Sequence, residues 1–351
     1  MLKGRTFDYT EEFPLESGRS LPGFQLFYTT WGKLNPARDN VIWVCHALTG
    51  NAFVKDWWGG LFGEGKTFDP QKHFIVCANV LGGCYGSTGP LSLNPDTNKP
   101  YYHTFPTLTN RDVVRAFDLL RQHLQLKEIQ VLIGGSLGGQ HALEWAIQQP
   151  EVVKLLVQIA ANAFQTPWSI AFNETQRMAI EQDVTWQLDA DSAGLEGMKT
   201  ARAVALLSYR TYGSYKRLQK EQTLEKLDQY RAASYQRHQG EKLAQRFNAI
   251  TYWQLTKMMD SHQVGRGRGS VEQALRSVQA RTLVIGVESD ILFPLTEQRF
   301  VAQYIPDSNF QVIRSDYGHD GFLLEFEQLS QILHGFLQHK KPRRTWIPTV
   351  F

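Results

Sequence analysis

The sequence predicts an α/β fold, a mostly parallel and doubly wound sheet interrupted once by a helical insertion. Three observations carry this reading. Short β-branched runs alternate with helical patterns over residues 1–161 and again over 271–351. Several of those runs are apolar throughout, as strands are when helices cover both faces of a parallel sheet. The stretch 162–270 has no convincing strand run.

In chain order, FQLFYTTW (24–31), VIWVC (41–45) and FIVCANV (74–80) read as strands. A helical pattern follows over Val113–Leu124, then the strand IQVLIGG (129–135), a second helical pattern over Gln140–Gln149 and the strand VVKLLVQIAA (152–161). After the insertion come the strands TLVIGV (282–287) and NFQVI (309–313). Within the insertion, SYKRLQKEQTLEKLDQYRAASYQ (214–236) patterns as polar helix, and Tyr209–Arg246 holds nine Lys/Arg against four Asp/Glu. A solvated helix face explains that excess simply. A helical lid whose positive field attracts an anionic ligand is the sharper reading. GRGRG (265–269) reads as a flexible return to the core.

Composition excludes several classes. A net charge of +3 over 351 residues gives no footprint for nucleic acid or an anionic membrane. No run approaches the roughly 20 apolar residues of a membrane span, and the N-terminus lacks the apolar segment of a secretory signal. Cys45, Cys77 and Cys84 do not form a disulfide framework, so the expected compartment is the cytoplasm.

The strongest local signal is Gly134-x-Ser136-x-Gly138, directly after an apolar strand and before a helical pattern. This is the context of a nucleophile elbow, the motif of the α/β-hydrolase fold. Glycines flank the serine because so sharp a turn leaves no room for Cβ atoms, and the turn aims the new helix's first amides at the hydroxyl. Leu137 is the expected first oxyanion donor through its backbone amide. In this fold an acid and a histidine follow the serine in that order. The candidate acid is Asp290, with Glu288 in reserve and turn capping as Asp290's plainer role. Of ten histidines, only His319 lies in a loop after the last strand, where it could reach Ser136 while Asp290 holds its other nitrogen. The loop HALTGNA (46–52) supplies the second oxyanion candidate, the Leu48 amide, with His46 read as a loop brace.

Beyond these residues the chain resembles the homoserine O-acyltransferase family, in its homoserine O-acetyltransferase branch. The matching blocks include HALTGNA, NVLGGCYGSTGPLSLNP (79–95), GGSLGGQHALEWA (134–146), ARAVALLSYRT (201–211), RFNAITYWQLTKMMD (246–260) and SDYGHDGFLLE (315–325), in family order across nearly the whole chain. The resemblance implies the α/β-hydrolase fold with a helical lid at 162–270, and a ping-pong reaction in methionine biosynthesis. In that reaction Ser136 takes an acyl group, acetyl by the closer wording, from acetyl-CoA and passes it to L-homoserine. It further implies that Arg202 binds the acceptor's carboxylate and Asp320 its amine, that acetyl-CoA is a cosubstrate with no cofactor or metal permanently bound, and that the chain forms a homodimer. Succinyl as donor group, serine as acceptor, and hydrolysis by a serine esterase of the same fold stay open. Phe53-Val54 replaces a histidine found here in many members, which bears on acyl preference.

Overall fold

The computed structural model describes residues 4–223 and 225–338. The run 340–351, readable as a tail or an ordered strap, lies outside the described residues. Among the described residues eight strands form one sheet: β1 Arg5–Tyr9, β2 Phe24–Trp31, β3 Val41–Cys45, β4 Phe74–Ala78, β5 Ile129–Gly135, β6 Val153–Ile159, β7 Arg281–Val287 and β8 Ser308–Ile313. Their order across the sheet is β1-β2-β4-β3-β5-β6-β7-β8. Only the β1–β2 and β2–β4 pairs are antiparallel; β4 to β8 run parallel.

Strand β3 shows why the apolar runs are continuous. Val41, Trp43 and Cys45 face one apolar cluster, while Ile42 and Val44 face another on the opposite side. With a side-chain period of two, burial on both faces leaves no polar position. The first cluster is roofed by α1 (Asn110–His123) and α2 (Leu137–Gln148), where Trp43 and Trp145 meet edge to face at 4.9 Å. The other side is covered after β8 by a terminal helix, Phe326–Gln338, which buries Leu329 and Leu333. Helix α1 starts three residues before its apolar pattern, because Thr109 and Asp112 close a capping box.

Strand β1 has no counterpart among the sequence-read strands. It is an edge strand of five residues that buries only Phe7, so it offers too little apolar alternation to be read.

Between β6 and β7 run α3 (Pro167–Glu181), α4 (Leu195–Tyr209), α5 (Tyr212–Leu218), α6 (Arg231–Ala244) and α7 (Ala249–Asp260). Ile180, Met198, Ala201 and Tyr252 bring the apolar sides of α3, α4 and α7 into the first core cluster. Two expectations here need correction. The polar stretch 214–236 is not one continuous helical run: residues 219–223 and 225–230 are non-helical between α5 and α6. There Leu227 is 92% and Tyr230 45% exposed, so too little apolar surface is buried to hold a helix, and Glu221 turns its carboxylate to the Arg231 amide. The GRGRG return, expected to be flexible, is tied down: Arg268 pairs with Glu144 at 2.6 Å and Arg266 with Glu16 at 3.0 Å. Among the described residues no helix is long and apolar enough to cross a membrane.

Candidate active site

Strand β5 ends at Gly135, α2 begins at Leu137, and Ser136 alone makes the corner, with φ 55° and ψ −127°. For a residue with a Cβ that backbone costs on the order of 1–3 kcal/mol, and it persists only where its surroundings enforce it. The enforcement is visible at the two glycines. A Cβ on Gly134 would lie 2.1 Å from the Gly138 carbonyl oxygen, and one on Gly138 would lie 2.1 Å from that of Cys45. The G-x-S-x-G spacing is therefore the sequence trace of a backbone that passes itself at contact distance.

The corner delivers its hydroxyl to two groups from later in the chain. His319 Nε2 lies 2.9 Å from Ser136 Oγ, and His319 Nδ1 lies 2.6 Å from Asp290 Oδ2. All three side chains are buried. Asp290 sits just beyond β7, and its two carboxylate oxygens meet different donors. While Oδ2 meets the imidazole, Oδ1 accepts the Leu292 and Phe293 amides at 2.8 and 3.0 Å. Turn capping fixes the carboxylate in the orientation the histidine needs. The reserve acid, Glu288, is exposed at the strand end. Ser289 ties the two loops together, donating to the Ser315 carbonyl and accepting the Gly318 amide at 3.0 Å.

The imidazole is enclosed by the rings of Tyr209, Phe293 and Phe322, with centroids 5.3–5.6 Å away. Burial by itself would disfavour the charged ring. The Asp290 charge and hydrogen bond, helped by Asp320, outweigh it and raise the His319 pKa above its ordinary value. With Asp290 accepting from Nδ1–H, Nε2 is free to take the serine proton. The arrangement can generate an alkoxide-like nucleophile and hold the resulting imidazolium.

The loop after β3 lines the same cavity as Ser136. His46 accepts the Val80 amide on Nε2 at 3.1 Å and so carries its proton on Nδ1, which donates to the Ala47 carbonyl at 2.9 Å. Burial lowers its pKa to about 4, so it stays neutral and acts as a brace. Leu48 follows on the wall of the serine's cavity, and Leu137 opens α2, where its amide lacks an intrahelical acceptor. Among the described residues neither of these two amides has an acceptor within the fold. The loop's outer end is gripped from the insertion. Arg246, between α6 and α7, donates to the Thr49 carbonyl at 2.7 Å and to the Tyr85 hydroxyl at 2.5 Å.

Ser136 and His319 open into a cavity of about 210 Å³. Arg202, Tyr209 and Arg246 line it from the insertion side, and Asp320, Trp57 and Phe322 from the core side. Arg202 and Asp320, far apart in sequence, thus share one chamber with the serine. Arg202 has no ion-pair partner among the described residues, and its guanidinium lies 5.6 Å from the Tyr209 ring centre. Asp320, in the helical turn Gly318–Leu323, is paired instead with Arg210, whose Nε lies 3.0 Å from Oδ2. Burial raises the Asp320 pKa, opposed by Arg210, Arg202 and His319. Sequence reasoning passed over Arg210 and Arg246. Both stand inside blocks that carried the family resemblance, ARAVALLSYRT and RFNAITYWQLTKMMD, and that was their only signal.

The sequence profile of the α/β hydrolase fold matches residues 40–326. A protein of Cyclobacterium marinum named homoserine O-acetyltransferase is 54% identical over 326 residues, 93% of each chain. The crystal structure of a homoserine O-acetyltransferase from Staphylococcus aureus superposes with a TM-score of 0.81 at 31% identity, covering 97% of both chains. The crystal structure of a mutant of esterase E22 gives a TM-score of 0.88 at 23% identity, covering 97% of this chain and all of that one. That last likeness is one of fold.

Proposed function

We infer the reaction from a plain premise: this chain belongs to the homoserine O-acetyltransferase family, within the α/β-hydrolase fold. It is an enzyme, an acyltransferase. We propose that it moves an acetyl group from acetyl-CoA to the side-chain hydroxyl of L-homoserine, in methionine biosynthesis. The observation that carries the acceptor assignment is Arg202, a guanidinium with no acid partner among the described residues, in the chamber that holds Ser136 and Asp320. A free cation and a carboxylate around one nucleophile suit a zwitterion, whose carboxylate fits the guanidinium fork and whose ammonium fits the acid. An ester substrate without charges would need neither.

In this reading His319 Nε2 takes the Ser136 proton as Oγ attacks the thioester carbonyl. The developing oxyanion is received by the Leu48 and Leu137 amides, each worth about 3 kcal/mol by analogy with other oxyanion donors. The C–S bond breaks, His319 returns its proton to the leaving thiolate, and the acetyl group stays on Ser136. Homoserine then enters between Arg202 and Asp320. His319 removes the proton of its hydroxyl, the new ester forms, and Ser136 recovers its proton.

Transfer in place of hydrolysis requires that water be kept from the acyl-enzyme. We assign that task to residues 162–270, as a lid on a core of residues 1–161 and 271–351, because Arg202 and Arg246 reach the chamber from this side. Apolar residues exposed on and beside α3 and α4, such as Trp168, Met178, Leu207 and Tyr212, support a homodimer formed through the lid. We place the enzyme in the cytoplasm, where its three free cysteines would stay reduced.

Thiol release from acetyl-CoA by the purified chain, with and without L-homoserine, tests the proposal. Release that depends on homoserine is expected. Comparable release without it would make the chain a hydrolase, and undiminished release by Ser136→Ala would remove the nucleophile from the account.

A further inference from the structure

Asp320 stands apart from the other acids of the site. Asp290 accepts two backbone amides and an imidazole, whereas Asp320 accepts no hydrogen bond from any described residue. Its one ion-pair partner among the described residues is Arg210, and the pair is close without being aligned as a hydrogen bond. Arg210 is placed for this by the end of α4. Tyr209 is the last helical residue, and Arg210 leaves the helix in extended backbone, with φ −119° and ψ 164°. Two further contacts hold the same junction: the Thr211 hydroxyl donates to the Asp316 carbonyl, and Arg217 pairs with the Asp316 carboxylate at 2.7 Å. The staple between insertion and histidine turn therefore exists without Arg210.

We propose that Arg210 is a positioning residue for acceptor recognition, holding the Asp320 carboxylate ionised and presented to the chamber so that it binds an ammonium group. The inference rests on the acyl transfer to an amino acid argued above. A carboxylate withdrawn from water without donors takes up a proton unless a cation is near. A neutral Asp320 would offer an ammonium far less. A carboxylate has about four lone-pair positions, so Arg210 at one of them leaves room for the substrate. The groups facing Asp320 are Arg210 and Arg202 from the insertion, His319 on its own turn and Asp290 beyond β7, with Tyr209 and Tyr215 nearby. Of these, only Arg210 pairs with it at contact distance. Arg202, with no ion-pair partner among the described residues, is left for the other end of the acceptor.

The test uses the full chain carrying ¹³C-labelled aspartate, with the Asp320 resonance assigned by D320N. In Arg210→Met the Asp320 titration moves to higher pH, and in Arg210→Lys it returns toward the wild-type position. Alongside, KM for L-homoserine rises about 10–100-fold in Arg210→Met. Transfer to 4-hydroxybutyrate, which has the hydroxyl and carboxylate but no amine, changes less than about threefold. Melting curves establish that the variants fold. An Asp320 titration unmoved by the methionine variant overturns the proposal. So does an equal loss with both acceptors, which would mark Arg210 as a structural staple only. A wild-type enzyme indifferent to homoserine would defeat the proposed function, and the Asp320 titration would still decide the case for Arg210.

Discussion

The corner that carries Ser136 and the insertion that faces it are built on opposite principles. At the corner, backbone supplies the geometry. Gly134 and Gly138 each press against a carbonyl oxygen 2.1 Å from where a Cβ would sit, and Asp290 is aimed by two amides. In the insertion, long side chains reach inward from helices and their ends: Arg202 from α4, Arg210 from the residue just after it, Arg246 from the α6–α7 junction. Backbone is costly to change and side chains are not. The difference suggests that the corner sets the reaction, which many folds of this kind can share, while the insertion sets which acceptor receives the acyl group.

Three substitutions would break or sharpen that division, in descending size. Asp290→Asn should lower turnover by about 10⁴-fold for any acceptor, since it disturbs the tautomer and the imidazolium. Its pH profile carries a sign. In the proposed mechanism His319 works as a base when neutral, so activity should be lost as pH falls through its pKa. Asp290 raises that pKa, so the acid limb of the variant's residual activity should move to lower pH. A limb that stays in place would mean Asp290 is only a turn cap. Arg202→Met should raise KM for homoserine about 100-fold, with a far smaller effect on acylation by p-nitrophenyl acetate. Losses of equal size in both steps would place Arg202 with the corner. Arg246→Met should have the smallest effect, about fivefold, shared by acylation and transfer alike, because it loosens the loop that carries the Leu48 amide. Stopped-flow acylation and steady-state transfer separate these cases. A loss confined to transfer would move Arg246 among the acceptor contacts.

The same contrast explains what could be read from the sequence. The sheet was legible because burial on both faces forces apolar runs such as VIWVC, and the corner because steric contact forces glycine at fixed spacing. Asp290 and His319 could be singled out because the fold orders its acid and base along the chain. Strand β1 escaped because it buries one residue, and the non-helical residues 219–223 and 225–230 because polar sequence patterns alike as helix and as loop. Arg202 and Asp320 came only through resemblance. Arg210 and Arg246 did not come at all, since a guanidinium that will face a chamber is written with the same letter as one that faces water. Their roles depend on how α4 ends and where α6 meets α7, and no local pattern encodes that.

The central claim is that Ser136 holds an acyl group long enough for an amino acid to collect it. Mass spectrometry of the intact chain after brief exposure to acetyl-CoA tests this most directly. One added acetyl group per chain is predicted, absent in Ser136→Ala, stable in buffer over many turnovers and discharged promptly by L-homoserine. An adduct that never forms on Ser136, or one that water removes as fast as homoserine does, would contradict it.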